Sequence, residues 1–367
     1  MPHEQKRQVS IIINNKCNLN CVYCYAKESQ KSDYKNIDID FAKVGISDYF
    51  SKGNHQIRFF SLGEPTLDFS IIVELYNYAK KIAGDNLIAE IQTNGVMTED
   101  KAHWLGQHIN NIWISWDGPP YFQNAFRKTL NNKETSNIIE HNAKIMLKYK
   151  DDNHKNGFVG ARVTITGKSI KRQQEIIRYF KERNITVIYS DPVFIPVGDS
   201  RLSEIVGEID LIDYCKSYIT AFNYAKSNNV FYGSFYMINF DDKCNSHCRA
   251  CLPTPHLTLD GYVSCCDMAL DSKINHMSQL IYGYWNVDSK NIVYDNDRIK
   301  YIQTRRVENI PECKHCDISN YCGGYCIGEV LNETKSFYGV LNDRCKAIRF
   351  LADGLKAGNV YIPVLHP

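Results

Sequence analysis

No stretch of this 367-residue chain approaches about 18 uninterrupted apolar residues, so the sequence holds no candidate membrane-spanning helix. The opening segment MPHEQKRQVSIIINNK carries a three-residue apolar run and then turns polar, too little for a secretion signal. An excess of one charge is missing too. Lys and Arg number 43 against 41 Asp and Glu, a net charge of +2, and the basic residues are scattered. No nucleic-acid groove and no membrane-surface patch is therefore expected. Low-complexity tracts and short-period repeats are absent, and 44% apolar residues is enough for a packed core, which excludes disorder. A cytoplasmic protein is expected.

Cysteine is missing from residues 25 to 214 and concentrated elsewhere: of fourteen, three fall within residues 17–24 and ten between 244 and 345. An even spread would put about four in the latter segment. In a reducing compartment such clustering points to metal ligation rather than disulfides. Cys215, alone in an amphipathic segment, reads as a small buried hydrophobe.

From residue 8 the chain alternates short β-rich runs with helix-period segments. Strands are expected at 8–13, 56–61, 87–92, 111–115, 160–165 and 185–190. Helix starts are expected after Asp38, Asp68 and Thr98, with Gly84 closing the second helix, and a sixth helix over 207–229. Six βα units with a parallel inner wall describe an α/β fold, a partial (β/α)6 barrel open on one side, with chemistry at the C-terminal ends of the strands. After about residue 235 the pattern breaks into short loops with paired cysteines. Two domains are expected, 1–235 and 236–367, the second folding around metal and ending in a helix over 342–358 that carries Cys345 near its start.

The first strand runs into Cys17-Asn-Leu-Asn-Cys21-Val-Tyr-Cys24. Structural zinc needs four closed ligands, and here three thiols come without a nearby fourth Cys or His, His3 being the closest. A four-iron four-sulfur cube held by three thiolates keeps one iron open for a small molecule. This triplet, with aromatic Tyr23 before its last cysteine, resembles the radical S-adenosylmethionine enzymes. The resemblance implies an open iron that chelates S-adenosylmethionine, whose reductive cleavage yields a 5′-deoxyadenosyl radical. Ser61-Leu62-Gly63-Glu64-Pro65 is similar to that family's GGEP, with Leu62 in place of the first glycine. The resemblance implies cofactor contacts at Tyr23, Gly63, Glu64, Thr93, Asn94, Ser115, Asp117 and Arg162. For the last five, turn and capping roles are the competing reading.

Downstream, Cys251, Gly261 and Cys266 precede the run Cys313-x2-Cys316-x5-Cys322-x3-Cys326, and Cys345 follows. This resembles the SPASM extension of the same family, which implies two auxiliary 4Fe-4S clusters and three clusters in all. Cys313, Cys316, Cys322 and Cys345 would hold the far one, and Cys251, Cys266 and Cys326 the near one. The near cluster's fourth ligand is open between Cys244 and Cys248, with Cys265 disfavoured by its adjacency to Cys266. Two zinc sites are the competing reading, since CxxC pairs also fit zinc ribbons.

Auxiliary clusters beside a radical site imply an oxidation, and enzymes of this kind usually modify peptides or proteins. Oxidative modification or cross-linking of a peptide residue is the leading expectation. Formylglycine formation of the anaerobic sulfatase maturase type comes next, then a small-molecule radical dehydrogenase or a non-catalytic electron-transfer or binding protein. Asp267 directly follows Cys266, as the catalytic base does in sulfatase maturases, and a desolvated carboxylate there would take a proton from substrate. It would equally serve to hydrogen-bond its own loop. Fewer than ten residues precede the first strand, so no leader-binding module is expected and recognition would fall to a separate protein or the small domain's surface. An electron donor such as ferredoxin or flavodoxin is implied.

Overall fold

The strands expected between residues 8 and 190 are all present in the computed structural model, which describes residues 8–150, 157–194, 200–240, 243–270 and 276–356. They are β1 (Val9–Ile12), β2 (Gln56–Phe60), β3 (Ile88–Thr93), β4 (Asn111–Ser115), β5 (Phe158–Ile165) and β6 (Val187–Pro192). Each pairs parallel with the next. A seventh parallel strand, β7 (Phe231–Gly233), follows the helix Leu211–Ser227. At three residues it is too short to leave an alternation in the sequence.

Residue 235 falls just after β7, but the sheet does not stop there. On the free edge of β1 lie β8 (His256–Leu257, parallel), then antiparallel β9 (Tyr262–Ser264), β10 (Ile281–Asn286) and β11 (Asn291–Tyr294). All eleven strands form one sheet, with β11 and β7 as its two edges, so the barrel is open. The C-terminal segment thus supplies part of the barrel wall.

Alternation along the strands sorts two faces. Ile11, Ile57, Phe59, Ala89, Ile91, Ile112 and Ile114 turn outward into one core with the helices. Ile12 with Phe60, and Trp113 with Tyr189, belong to separate clusters inside the barrel. The helix Ile39–Phe50 begins where Asp38 accepts the Phe41 N–H at 2.8 Å. It packs so closely on β8 that a Cβ on Gly45 would lie 2.5 Å from Leu257 Cδ1. Gly84 closes the helix Phe69–Ala83 at φ 58°.

Asp68 and Thr98 occupy cap positions without making side-chain caps. Asp68 instead binds Tyr34, Asn36 and Asn14, tying that helix to the loop after β1. Of the expected last helix, Asn342–Lys356 is described and 357–358 lie outside the described residues. Cys215 is buried beneath it. Among the described residues no helix is long and apolar enough to cross a membrane.

Candidate active site

The loop leaving β1 carries Cys17, Cys21 and Cys24 to the C-terminal rim of the barrel. Main-chain bonds pin it: Asn20 N–H to Lys128 O at 2.8 Å and Val22 N–H to Phe126 O at 3.0 Å. The three thiols lie close enough for their charges to act on Cys17, whose thiol is pushed up to about 12 by burial and by the Glu64 carboxylate. Burial raises Cys21 too, with Arg127 opposing. Gln30 Nε2 donates to Cys24 Sγ at 3.6 Å and to Leu62 O at 2.8 Å. The departure from GGEP at Leu62 thus leaves its carbonyl in use. His3, the nearest other ligand type in sequence, lies outside the described residues.

Glu64 is 1% exposed, and its carboxylate is enclosed by donors. Oε1 accepts from the Thr93 hydroxyl (2.7 Å), the Thr66 hydroxyl (2.7 Å) and Thr66 N–H (3.1 Å), and Oε2 accepts from Asn94 N–H (2.7 Å). Burial raises its pKa and these bonds oppose the rise. Asn94 Nδ2 continues to Asn18 Oδ1 at 2.7 Å and Cys17 Sγ at 3.7 Å. Glu64, Thr93, Asn94 and Cys17 therefore form one chain of contacts across the ends of β1, β2 and β3. Gly63 closes it from below: its backbone lies against Lys16, where a Cβ would stand 1.9 Å from the carbonyl oxygen.

Tyr23 and Asp117, two of the expected cofactor contacts, face each other. The Tyr23 hydroxyl donates to Asp117, Arg127 Nη1 reaches that hydroxyl at 3.3 Å, and Asp117 Oδ1 accepts Thr164 N–H at 3.0 Å. All three side chains are buried, and a carboxylate without water needs such donors. Ser115 stands half-buried at the end of β4, in register with Arg162. The Arg162 guanidinium lies over the Tyr189 ring at 4.4 Å and 4.0 Å from Asp191, and its Nη1 has no hydrogen-bond partner.

Below the rim, one row of inward side chains crosses the sheet in register: His256, Ser10, Arg58 and Glu90. Asp267 caps the row. Arg58 Nη1 meets both its oxygens at 3.0 and 2.7 Å, and His256 Nδ1 stands 2.8 Å from Oδ1. The Asp267 side chain is 34% exposed and ion-paired, a different setting from the desolvated carboxylate expected from sequence. Tyr25 is 62% exposed, with Cys24, Asp267, Arg58 and Arg162 around it.

The C-terminal thiols sort into two groups. The free thiols of Cys248 and Cys251 share a hydrogen bond, and Cys248 lies near Cys265, Cys266 and Cys326. The Cys244 thiol donates to Tyr321 O at 3.3 Å. Cys313, Cys316, Cys322 and Cys345 act on one another as the second group. Among the described residues, no three His, Cys, Asp or Glu side chains converge closely enough for a single ion. Arg58 and Arg127 escaped the sequence reading. A charged residue inside the otherwise apolar run QIRFF was the available signal for Arg58, whereas nothing local marked Arg127.

Comparison with known proteins adds the following. The family profile described as Radical SAM superfamily matches residues 11–209. A cysteine-type anaerobic sulfatase-maturating enzyme of Clostridium novyi (strain NT) is 26% identical over 200 residues, 52% of each chain, so this chain spans about half the length of that curated relative. A GTP 3′,8-cyclase of Limosilactobacillus fermentum is 25% identical over 336 residues, covering 83% of this chain and 87% of that one. Among solved structures, native anSMEcpe with bound AdoMet and Kp18Cys peptide has the same fold. Its TM-score is 0.71 at 19% identity, over 96% of this chain and 97% of that one.

Proposed function

We propose, from the premise that this chain belongs to the radical SAM superfamily, that it oxidatively modifies or cross-links a residue within a peptide or protein. The superfamily's fold implies S-adenosylmethionine and a 4Fe-4S cluster, and the residues here fit both. Three splayed thiols share one rim loop. Arg162 turns a partnerless nitrogen toward the barrel interior, where a carboxylate would satisfy it. When bound, the pair supplies a 5′-deoxyadenosyl radical that removes a hydrogen atom from substrate.

The chain's own residues do the positioning. Glu64 and Asn94 hold the thiol loop, and Gly63 allows its close approach. We assign the near auxiliary cluster to Cys248, Cys251, Cys266 and Cys326, the far one to Cys313, Cys316, Cys322 and Cys345, three clusters in all. Near thiols beside the reaction space favour oxidation, because the electron left after hydrogen abstraction has somewhere to go.

One observation carries the reading: Asp267, adjacent to Cys266, accepts from Arg58 and lies 2.8 Å from His256 Nδ1. Cys24 of the rim loop and Asp267 beside Cys266 both lie around Tyr25, which supports a single space where a substrate would meet both. Arg58 and His256 orient the Asp267 carboxylate, and Asp267 takes the substrate proton. Peptide as substrate rests on the anSMEcpe complex and the sulfatase-maturating relative. A separate leader-recognition protein and a ferredoxin or flavodoxin as electron donor complete the proposal.

Anaerobic reconstitution is expected to load about twelve irons per chain, and strong reductant to release 5′-deoxyadenosine. Asp267→Asn is expected to keep the iron and lower product formation by about 10²-fold or more, and unchanged product would remove Asp267 from the chemistry. Co-expression with candidate peptides, read by mass spectrometry, identifies the modified residue. The near full-length match to a nucleotide cyclase favours a small-molecule substrate as second reading. Turnover stimulated by nucleotides and not by peptides would establish it, and no 5′-deoxyadenosine at all would favour a binding or electron-transfer role.

A further inference from the structure

Arg305 is 1% exposed, among the largest side chains buried completely. Its Nη2 donates to Gly324 O at 3.0 Å and Gly339 O at 3.4 Å, and its Nη1 to Phe337 O. All three acceptors are neutral main-chain carbonyls. None of the ion pairs among the described residues includes it. The ionisable groups beside it are thiols, Cys251, Cys248 and Cys326 from the near group and Cys313 from the far one. A buried guanidinium without a counter-charge is costly, and protonated thiols provide none. Thiolates bound to iron do, because a four-iron cluster with four thiolate ligands is a net anion.

The strap between the two groups supports the same conclusion. Cys322 and Cys326 are joined by Gly323, Gly324 and Tyr325, three successive left-handed residues at φ 68°, 83° and 60°. Tyrosine adopts that conformation only under constraint. The Gly324 and Tyr325 N–H groups point at Cys322 Sγ, and those of Gly328 and Glu329 at Cys326 Sγ. Arg305, bonded to the Gly324 carbonyl, holds the strap that aims two donors at Cys322 and leads directly into Cys326.

We propose that Arg305 is a positioning residue, the shared counter-cation of the two auxiliary clusters, raising both reduction potentials above those their thiolates alone would set. A fixed positive charge stabilises the reduced, more negative state of a nearby cluster. The inference rests on the two-cluster reading above.

The test measures iron content and, by anaerobic redox titration followed by electron paramagnetic resonance, the midpoint potential of each cluster in the full-length holoprotein. Arg305→Met with full iron is expected to shift both auxiliary potentials negative and leave the N-terminal cluster unchanged. Arg305→Lys is expected to keep wild-type iron and potentials near wild type. Iron lost from Arg305→Met but retained in Arg305→Lys supports the charge role equally. Unshifted potentials in a fully loaded Arg305→Met protein overturn it, as does equal iron loss in both variants, which would make the hydrogen bonds and not the charge decisive. Wild type holding only about four irons overturns the two-cluster reading itself, an outcome told apart from failure of Arg305's role by that count alone.

Discussion

At the scale of single residues, the site depends on close approach and on buried charge. Gly63 supports the cysteine loop only because it lacks a Cβ, which would overlap the Lys16 carbonyl one residue before Cys17. Gly63→Ala is therefore expected to displace Cys17 and cost the first cluster, about four of twelve irons, with auxiliary iron retained on assay. Cys17 makes a second prediction. Its thiol, raised from 9.0 to about 12 by burial, is protonated at neutral pH in the metal-free chain, so iron must displace a proton. Reconstitution of the first cluster should quicken as pH rises from neutral into the alkaline range, followed by its visible absorbance. The metal-free protein should lose stability as pH climbs from 9.0 toward 12, because the unfolded thiol ionises first. Tyr23 gains a partner that its motif position does not announce: its ring is 9% exposed and its hydroxyl donates to Asp117.

At the scale of elements, periodicity was legible wherever a strand is long enough to alternate and is backed by a helix. β1 to β6 follow that rule, since βα units bury one face of every helix and both faces of every strand. Caps were legible by type but not by use: Asp38 caps its helix, whereas Asp68 follows the same local pattern and is drawn to Tyr34 and Asn36 by tertiary neighbours. Strand β8, two residues long, had no local signal and exists because β1 presents a free edge and helix Ile39–Phe50 covers it. Gly45→Ala would place a methyl 2.5 Å from Leu257 Cδ1 and separate that pair. A loss of about 1 to 3 kcal/mol in unfolding free energy is expected by chemical denaturation.

At the scale of the whole molecule, the thiol groups lie far apart in sequence, and Asp267 beside Cys266 reaches Arg58 of β2 across the fold. Replacing Cys17, Cys21 and Cys24 together by alanine should leave about eight irons and the overall fold, checked by iron assay and circular dichroism. It should abolish 5′-deoxyadenosine release. Loss of all iron would mean that the auxiliary groups need the first one to form.

The chemistry-bearing types and their spacing were set along the chain. CxxxCxxC, the SLGEP turn, the C-terminal cysteine run and six βα repeats are local patterns, readable because loop ligation and amphipathic packing both act over a few residues. What only the folded chain decided are the partners that the polar and thiol groups meet. The Cys248 thiol lies on Cys251 and the Cys244 thiol on the Tyr321 carbonyl. Asp267 acquires Arg58 and His256, more than two hundred positions away in one case and eleven in the other. Those outcomes depend on burial and on which polar groups meet without water, and electrostatics of that kind has no period along a sequence.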